Sequence, residues 1–298
     1  MDDAMQSSLS GISGILVAPF DADDRFDPAP LGPIIDRAVG AGVHLLVANG
    51  NTGEFYGLRP AEAEAMVHAT TEKVGGRVPV VGGVGRSVHE ACDLARASRA
   101  AGASALMVHQ PPDPFAAPRG VLAYVERVAE AAQGLPLIVY LRNDTIGIDT
   151  IARLCAVETV VAVKWATPNV LTLARARSEA RHDITWICGL AETWAPPMAA
   201  VGARGFTSGL INVWPERSVA IHAALEHGDY ERAGKLINDI AGFEALRAQE
   251  HNGTNVSVVK AALAMRGTDC GPCRPPSAWP LDDAQHGQLR AILAAWDA

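Results

Sequence analysis

The chain has 298 residues, of which 49% are hydrophobic and 19% are charged, a balance typical of an α/β enzyme with a large core. Its formal net charge is −8 at pH 7, and no cluster of lysine and arginine offsets that charge. This charge argues against nucleic acid or an anionic membrane surface as a partner.

The first residues and the cysteines indicate the compartment. Residues 1–10 show no basic flank followed by an apolar run, so we expect no secretory signal. No segment approaches the roughly 18 consecutive apolar residues that a membrane span needs. Five cysteines, an odd number, indicate a reducing compartment rather than a disulfide framework. These features predict a cytoplasmic protein.

Short apolar runs alternate with longer amphipathic stretches along most of the chain. Eight runs are predicted strands, at residues 14–18, 43–48, 78–83, 105–108, 137–140, 160–164, 185–189 and 205–208. Helical patterns lie between them, for example at 61–74, 88–101, 120–132 and 170–180. This alternation predicts a parallel sheet, and eight such units predict a closed (β/α)8 TIM barrel. The alternative, an open doubly wound sheet, is disfavoured because no G-x-G-x-x-G motif opens the first helix after a strand.

After the eighth predicted strand the pattern becomes purely helical. The predicted helices are 215–226, 230–248, 256–266 and 282–297, and residues 267–279 form an irregular loop rich in glycine and proline. We therefore divide the chain into a catalytic barrel, residues 1–225, and a C-terminal helical extension, residues 226–298, packed on the barrel.

One lysine stands at the end of a predicted buried strand. The apolar run Val160-Val161-Ala162-Val163 leads directly into Lys164, although lysine is almost never fully buried without a partner. Its stem could be buried while the ammonium reaches solvent. Alternatively, burial destabilises the ammonium, and the free amine attacks a carbonyl to form a Schiff base. The second interpretation makes Lys164 the candidate catalytic residue.

The segment after the second predicted strand reads Gly50-Asn51-Thr52-Gly53-Glu54. In a (β/α)8 barrel the active site lies at the carboxyl ends of the strands, so this segment reaches the same mouth as Lys164. Glycines on both sides of an amide and a hydroxyl let backbone N–H groups and side chains converge on one anion, such as a carboxylate. An ordinary turn of the Asn-Gly type is the competing interpretation.

Three more candidates follow the fourth and fifth predicted strands. Tyr140 ends the fifth strand and could pass a proton to and from a reacting centre, or it could simply pack on the barrel rim. Arg142 could clamp a substrate carboxylate, or it could be a solvated loop charge. His109 ends the fourth strand, where a catalytic and a structural role are equally compatible with the sequence.

The seventh and eighth predicted strands supply further candidates for substrate binding. The seventh leads into Gly189-Leu190-Ala191-Glu192, and the eighth ends in Thr207-Ser208-Gly209. We expect Gly189, Glu192, Thr207 and Ser208 to face the mouth that Lys164 faces and to bind substrate. Arg142 and Glu192 are expected to set substrate choice rather than to perform the chemistry.

Taken together, a glycine-bracketed G-x-T-G-E after strand two, a tyrosine ending strand five and a lysine ending strand six resemble the dihydrodipicolinate synthase and N-acetylneuraminate lyase superfamily. The resemblance runs from about Ile12 to at least Pro276. It implies a class I, Schiff-base aldolase or lyase acting on pyruvate or another 2-oxo acid, usually assembled as a tetramer. It also implies that Lys164 forms the imine, that Tyr140 shuttles the proton, and that Thr52 with Asn51 holds the carboxylate of the 2-oxo acid.

Individual segments favour one branch of this superfamily. The loop after strand four, residues 109–115, lacks the tyrosine pair typical of dihydrodipicolinate synthases, which counts against lysine biosynthesis. The stretch Tyr140-Leu141-Arg142-Asn143-Asp144 is similar to the Y-N-R-D-N stretch of 5-dehydro-4-deoxyglucarate dehydratases, and VSVVK at 256–260 and GPCRPP at 271–276 fit that group. Those dehydratases, however, tend to have Lys-Asp-Gly in place of Lys164-Trp165-Ala166. Glu192 and Ser208 fall where lyases of the neuraminate type hold sugar hydroxyls.

The sequence therefore predicts a Schiff-base lyase that acts on a small-molecule 2-oxo acid, with a dehydratase of a deoxy-keto sugar acid as the first choice. The alternatives are a 2-oxo-acid aldolase or a dihydrodipicolinate synthase-type condensing enzyme that uses pyruvate. A non-catalytic regulator that binds a 2-oxo acid is less favoured. We expect no cofactor beyond the covalent Schiff base, no metal because no H-E-x-x-H motif is present, and a homo-oligomer, either a tetramer or a dimer.

Overall fold

In a computed structural model, which describes residues 3–276 and 278–297, eight parallel strands close into a barrel in chain order. The strands are β1 (Ile12–Ile15), β2 (Leu45–Ala48), β3 (Val80–Val84), β4 (Ala105–His109), β5 (Leu137–Leu141), β6 (Val160–Trp165), β7 (Thr185–Cys188) and β8 (Gly205–Ser208). β8 pairs with β1 and closes the ring. The predicted (β/α)8 fold is confirmed.

Helices surround the barrel and extend beyond it. α1 (Asp3–Leu9) precedes the first strand. The helices between strands are α2 (Leu31–Ala41), α3 (Pro60–Val74), α4 (Val88–Ala100), α5 (Pro118–Ala132), α6 (Ile148–Ala156), α7 (Val170–Glu179) and α8 (Ala191–Ala200). The helices after β8 are α9 (Pro215–Glu226), α10 (Tyr230–Arg247), α11 (Gln249–Asn252), α12 (Asn255–Met265) and α13 (Asp283–Trp296). None of the helices in the described ranges is both long and apolar enough to cross a membrane.

The side chains of each strand alternate between the barrel interior and the layer under the helices, as the strand period of two requires. On β6, Val163 and Trp165 belong to the core shared with the helices, whereas Ala162 belongs to the smaller core inside the barrel. Lys164 lies between Val163 and Trp165 and therefore points inward. The same alternation turns Tyr140 of β5 into the barrel interior.

Helix starts and strand bounds follow local signals with small differences from the sequence prediction. Ser87 begins α4 with a capping box, in which its Oγ accepts from the Glu90 backbone N–H at 3.2 Å. β1 ends at Ile15, three residues earlier than predicted. The Leu16 backbone N–H beyond it still donates to the Val47 carbonyl at 3.1 Å, and the Val17 N–H donates at 3.2 Å to the side-chain oxygen of Asn212, which follows β8. That amide closes the top of the barrel between β8 and β1.

Four of the helices after β8 lie where the helical patterns predicted them, and α10 packs against α8, α9, α12 and α13. The described part of the predicted loop 267–279 is irregular. Four residues lie outside the described part of the chain, namely Met1, Asp2, Ser277 and Ala298. Met1 and Asp2 belong to the segment in which we expect no secretory signal, Ser277 to the predicted loop and Ala298 to the predicted extension. The division of the chain at residue 225 stays a prediction.

A buried ion pair joins the turn after β2 to the helical extension. Lys260 Nζ of α12 lies 2.7 Å from Glu54 Oε1, and the two side chains are 4% and 1% exposed. Lys260 also donates to the Pro272 carbonyl at 2.7 Å, and the Arg274 backbone N–H donates to Glu54 Oε2 at 2.7 Å. The Arg274 guanidinium in turn pairs with Glu62 of α3 at 2.7 Å. Lys260 and Arg274, more than 200 residues later in the chain, therefore hold Glu54 and its turn in place.

We predict that Lys260→Met lowers the free energy of unfolding by about 3–5 kcal/mol, because it leaves the Glu54 carboxylate buried without its cationic partner. Urea unfolding followed by circular dichroism measures the loss. The matched control is Lys235→Met, which breaks the exposed Lys235–Glu231 pair and should cost no more than about 1 kcal/mol. Equal losses in the two variants would contradict a stabilising role for the buried pair.

Candidate active site

Three neighbouring strands place His109, Tyr140 and Lys164 side by side. His109 is the register partner of Tyr140 across β4 and β5, and Tyr140 is the register partner of Lys164 across β5 and β6. Partners on adjacent parallel strands point to the same face, here the barrel interior. Lys164 Nζ lies 3.9 Å from the centroid of the Tyr140 ring.

The environment of Lys164 disfavours its ammonium form. The residue is only 4% exposed, and burial lowers the pKa of its amine from the ordinary 10.5 to about 7, with the positive charge of Arg142 acting in the same direction. At neutral pH a large fraction of Lys164 is therefore a free amine, which is the nucleophilic form.

Tyr140 keeps its proton, and its phenol oxygen accepts a hydrogen bond from Asn51. Burial raises the pKa of its phenol to about 12, so the hydroxyl is protonated at neutral pH. The Asn51 side-chain amide donates to Tyr140 Oη at 3.0 Å. Because the oxygen accepts this hydrogen bond, the phenol can donate its own proton to another group. Asn51 thus ties the turn after β2 to the phenol beside Lys164.

The glycines of the β2 turn are required by close packing. A Cβ on Gly50 would lie 2.4 Å from Ile15 Cγ2, and a Cβ on Gly53 would lie 2.9 Å from the Leu16 carbonyl oxygen. At both positions the backbone of the turn packs closely against the end of β1 and the residue after it. These glycines shape the turn, while Thr52 between them lines the open space above the barrel.

A cavity of about 400 Å³ opens at the carboxyl ends of the strands. The predicted site residues that line it come from five different strand ends: Asn51, Thr52, Tyr140, Arg142, Lys164, Gly189 and Thr207. Apolar side chains, including Ile15, Leu190 and Trp194, form other parts of its wall. Polar groups grouped in a partly apolar cavity are typical of a small-molecule site.

His109 lies beneath this cavity rather than in its wall. The side chain is fully buried, its Nε2 lies 2.9 Å from the Asn49 carbonyl oxygen, and its ring stacks on Phe55 with centroids 4.5 Å apart. Burial and the nearby charge of Lys164 lower the pKa of His109 to about 3. His109 is therefore a neutral imidazole that supports Tyr140 from below, with ring centroids 5.2 Å apart.

Glu192 and Ser208 do not line the cavity either. Both are fully buried, and Ser218 of α9 joins them, donating to Glu192 Oε1 at 2.6 Å and lying 3.1 Å from Ser208 Oγ. Burial and the negative charge of Glu244 raise the pKa of Glu192. Glu192 and Ser208 belong to a hydrogen-bonded network between β8, α8 and α9. They were expected from the sequence to bind substrate, but this network holds them outside the cavity wall.

Arg142 lines the cavity, and one nitrogen of its guanidinium, Nη2, is engaged by protein groups. Nη2 donates to Tyr56 Oη at 3.0 Å and to the Gln110 carbonyl at 3.2 Å. The guanidinium also lies over the Tyr56 ring at 5.2 Å and the Tyr140 ring at 5.8 Å. These contacts hold the charge near Tyr140 and Lys164, where it favours the free amine of Lys164.

Part of the cavity wall comes from the helical extension, which the strand-end pattern in the sequence did not indicate. Four polar side chains from this region line the cavity: Glu244, Arg247, Asn252 and Asn255. A signal for one of them exists in the sequence. Arg247 follows Ile240 by seven residues and Phe243 by four, which places it on the apolar face of α10 in its last turn. An arginine at such a position has to meet a buried polar partner.

The fold and the cavity define a class of protein, a (β/α)8 enzyme with its candidate site at the carboxyl ends of the strands. Within the described residues, no group of three or more histidine, cysteine, aspartate or glutamate side chains is arranged to hold a metal ion. The dihydrodipicolinate synthetase family model matches residues 8–296. The chain belongs to that family, whose members are lyases.

Several relatives match over nearly the whole chain. A Bradyrhizobium protein named "Probable 5-dehydro-4-deoxyglucarate dehydratase" is 33% identical, covering 97% of this chain and 93% of its own. An uncharacterized DapA-like lyase of Halobacterium salinarum is 34% identical, covering 96% and 93%. The crystal structure of dihydrodipicolinate synthase from Bacillus clausii has a TM-score of 0.94 at 35% identity, covering 99% of this chain and 100% of that one.

We predict that His109 stays neutral between about pH 8 and pH 5, because protonation would place a second charge in the buried layer next to Lys164. Nitrogen-15 NMR of histidine-labelled protein measures its state, and the spectrum of the His109→Asn variant assigns the resonance. Exposed histidines in the same spectra serve as controls for the titration. A His109 resonance that moves with a midpoint near 6.5 would show that the ring can exchange a proton at working pH.

Proposed function

We propose that this chain is a Schiff-base lyase in which Lys164 condenses with the keto group of a 2-oxo acid. The observation that carries the proposal is the buried amine of Lys164 at the base of the cavity, with its pKa lowered to about 7. Desolvated lysines of this kind are activated nucleophiles towards carbonyl groups. The membership of the dihydrodipicolinate synthetase family supports the same chemistry.

The proposed sequence begins when the neutral amine of Lys164 attacks the keto carbon and water leaves, which gives a protonated imine. The imine draws electrons from the neighbouring carbon, so that C3 loses a proton and an enamine forms. The enamine then expels the hydroxyl group of the next carbon, which leaves with a proton as water. When the substrate is 5-dehydro-4-deoxyglucarate, the distal carboxylate then leaves as CO2, and water hydrolyses the imine to free Lys164 and the five-carbon product. Tyr140 is the proposed acid and base for these transfers, because Lys164 Nζ lies 3.9 Å from the centroid of its ring and Asn51 donates to its phenol oxygen.

For the substrate, we propose a deoxy-keto sugar acid of the kind processed by 5-dehydro-4-deoxyglucarate dehydratases. Several similar proteins carry that name at 30–34% identity over more than nine tenths of this chain. The cavity has room for a six-carbon chain and presents hydroxyl and amide groups from Thr193, Thr207 and Asn252. The alternative is a 2-oxo-acid aldolase or a condensing enzyme that uses pyruvate, since the same imine supports both outcomes. Assembly as a homo-oligomer stays a prediction.

The first test is borohydride reduction in the presence of pyruvate, followed by peptide mapping. We expect the mass of the reduced adduct on Lys164 alone, with Lys73, Lys235 and Lys260 unlabelled and no label in Lys164→Met. The rate of trapping should rise as the pH passes through about 7, because the fraction of free amine rises there. A midpoint near the ordinary value of 10.5, or label on another lysine, would contradict the proposed role of Lys164.

The second test separates the possible reactions. With 5-dehydro-4-deoxyglucarate we expect formation of 2-oxoglutarate semialdehyde, water and CO2 without release of pyruvate, and no turnover by Lys164→Met. Release of pyruvate from this or a related deoxy-keto sugar acid would identify an aldolase instead. Condensation of pyruvate with aspartate semialdehyde would identify a synthase. Binding of 2-oxo acids without turnover of any substrate in the panel would indicate a regulator.

A further inference from the structure

A second recess, of about 220 Å³, lies at the face of the barrel opposite the cavity that Lys164 lines. Its wall is built where strands begin, because residues 181–185 lead into β7 and Arg204 directly precedes β8. The last turn of α7 and, from the first segment of the chain, Gln6 and Ser10 complete the wall. Among the described residues, none lines both this basic recess and the cavity.

Three arginines make the recess positive in a chain whose net charge is −8. They are Arg177, Arg181 and Arg204, and Asp183 is the one carboxylate among the described side chains of the wall. Asp183 pairs with Arg181 at 3.1 Å, so it offsets one of the three charges. Like charges gathered around one space repel each other, and an anion between them removes that repulsion.

Two of the guanidinium groups are oriented by backbone carbonyls and keep further donors. Arg177 Nη1 donates to the Val201 carbonyl at 2.8 Å, and Arg181 Nη2 donates to the Val160 carbonyl at 3.0 Å. Arg177 also lies against Gly202, where a Cβ would be 2.5 Å from its Cζ. A guanidinium has five N–H groups, so each of these arginines keeps at least three that no described protein group accepts. Their orientation lowers the entropy cost of binding a ligand.

The third arginine has no contact that explains its position. The Arg204 guanidinium lines the recess but makes no hydrogen bond or ion pair with any described protein group. Its backbone N–H donates to the Trp186 carbonyl at 2.9 Å. Glu226 and Arg204 both line a smaller neighbouring recess, yet the two side chains form no ion pair there. The carbonyl contacts therefore account for Arg177 and Arg181 as structural residues and leave Arg204 unaccounted for.

We propose that the basic recess binds a phosphate group, with Arg177, Arg181 and Arg204 as its ligands. A phosphate dianion offers three or more acceptor oxygens to guanidinium groups that approach from different segments of the chain. A single carboxylate has two oxygens, and one arginine satisfies both. The recess accommodates free phosphate or the phosphate group of a small metabolite. This site is independent of the Schiff-base chemistry, since no described residue lines both spaces.

Under the competing interpretation, the arginines only join the end of α7 to the neighbouring segments and are otherwise solvated. Arg177 lies in the last turn of α7, where a positive charge is favourable beside the unpaired carbonyls. Exposed arginines of this kind attract all anions weakly, and salt screens the attraction. A phosphate site instead prefers phosphate to another dianion and loses that preference when one of its arginines is removed.

The experiment is calorimetric titration of the full chain with inorganic phosphate, at an ionic strength held near about 0.15 M with sodium chloride. We expect Arg204→Met and Arg181→Met each to raise the Kd for phosphate about 10- to 100-fold. The matched control is Arg175→Met, which removes an exposed arginine of α7 outside the recess wall and should leave the Kd unchanged. Arg142→Met, which alters the cavity at the other face, should also leave it unchanged.

Parallel titrations with glycerol 3-phosphate and succinate identify the ligand class. Tighter binding of glycerol 3-phosphate than of phosphate supports a phosphorylated metabolite as the ligand, and equal or weaker binding supports free phosphate. The assignment is overturned if succinate binds as tightly as phosphate, if phosphate does not bind, or if Arg142→Met weakens binding while Arg204→Met does not. Thermal unfolding shows whether Arg181→Met keeps its fold. Arg204→Met removes a side chain without a described protein partner, so it tests the site even if Arg181→Met unfolds.

Discussion

The buried pair of Glu54 and Lys260 is the interaction on which the geometry of the cavity depends. Glu54 ends the turn that carries Asn51 and Thr52, and its two oxygens are bound by α12 and by the backbone of Arg274. Removing two charges from water is costly unless both are paired and hydrogen-bonded, so the turn and the extension can only be buried together. This turn also positions Tyr140, because Asn51 donates a hydrogen bond to its phenol oxygen. The barrel and its helical extension therefore form one structural unit at the active face.

The fold and the centre of the site could be predicted because both depend on local patterns. Eight short apolar runs separated by amphipathic stretches leave few topologies, and parallel strands bring their carboxyl ends to one edge. Lys164 and Tyr140 stand at the last inward positions of their strands, so the strand period alone turns them into the same space. A lysine after four apolar residues is unusual enough to be noticed without any structure.

The rest could not be predicted because it depends on packing between distant segments. Whether Glu192 faces the cavity or the network with Ser218 is decided by how α8 and α9 meet, which the sequence near Glu192 does not record. His109 is at a strand end like Lys164, yet the Asn49 carbonyl and the Phe55 ring enclose it. Arg247 reaches the cavity from α10, which follows the last strand. The alternation of strands and helices, which identifies residues at strand ends, therefore does not indicate it.

The order of the chain has a consequence for the synthesis of this protein on the ribosome. Glu54 receives its hydrogen bond from Arg274, which lies 220 residues later. Domains tend to form as the chain emerges, but here the last contacts of an early turn await the synthesis of Arg274. Nascent chains that stop before α12 have Lys164 without the ion pair that completes the turn after β2. The Lys164 amine and the completed turn are thus brought together only after α12 and Arg274 have been synthesised.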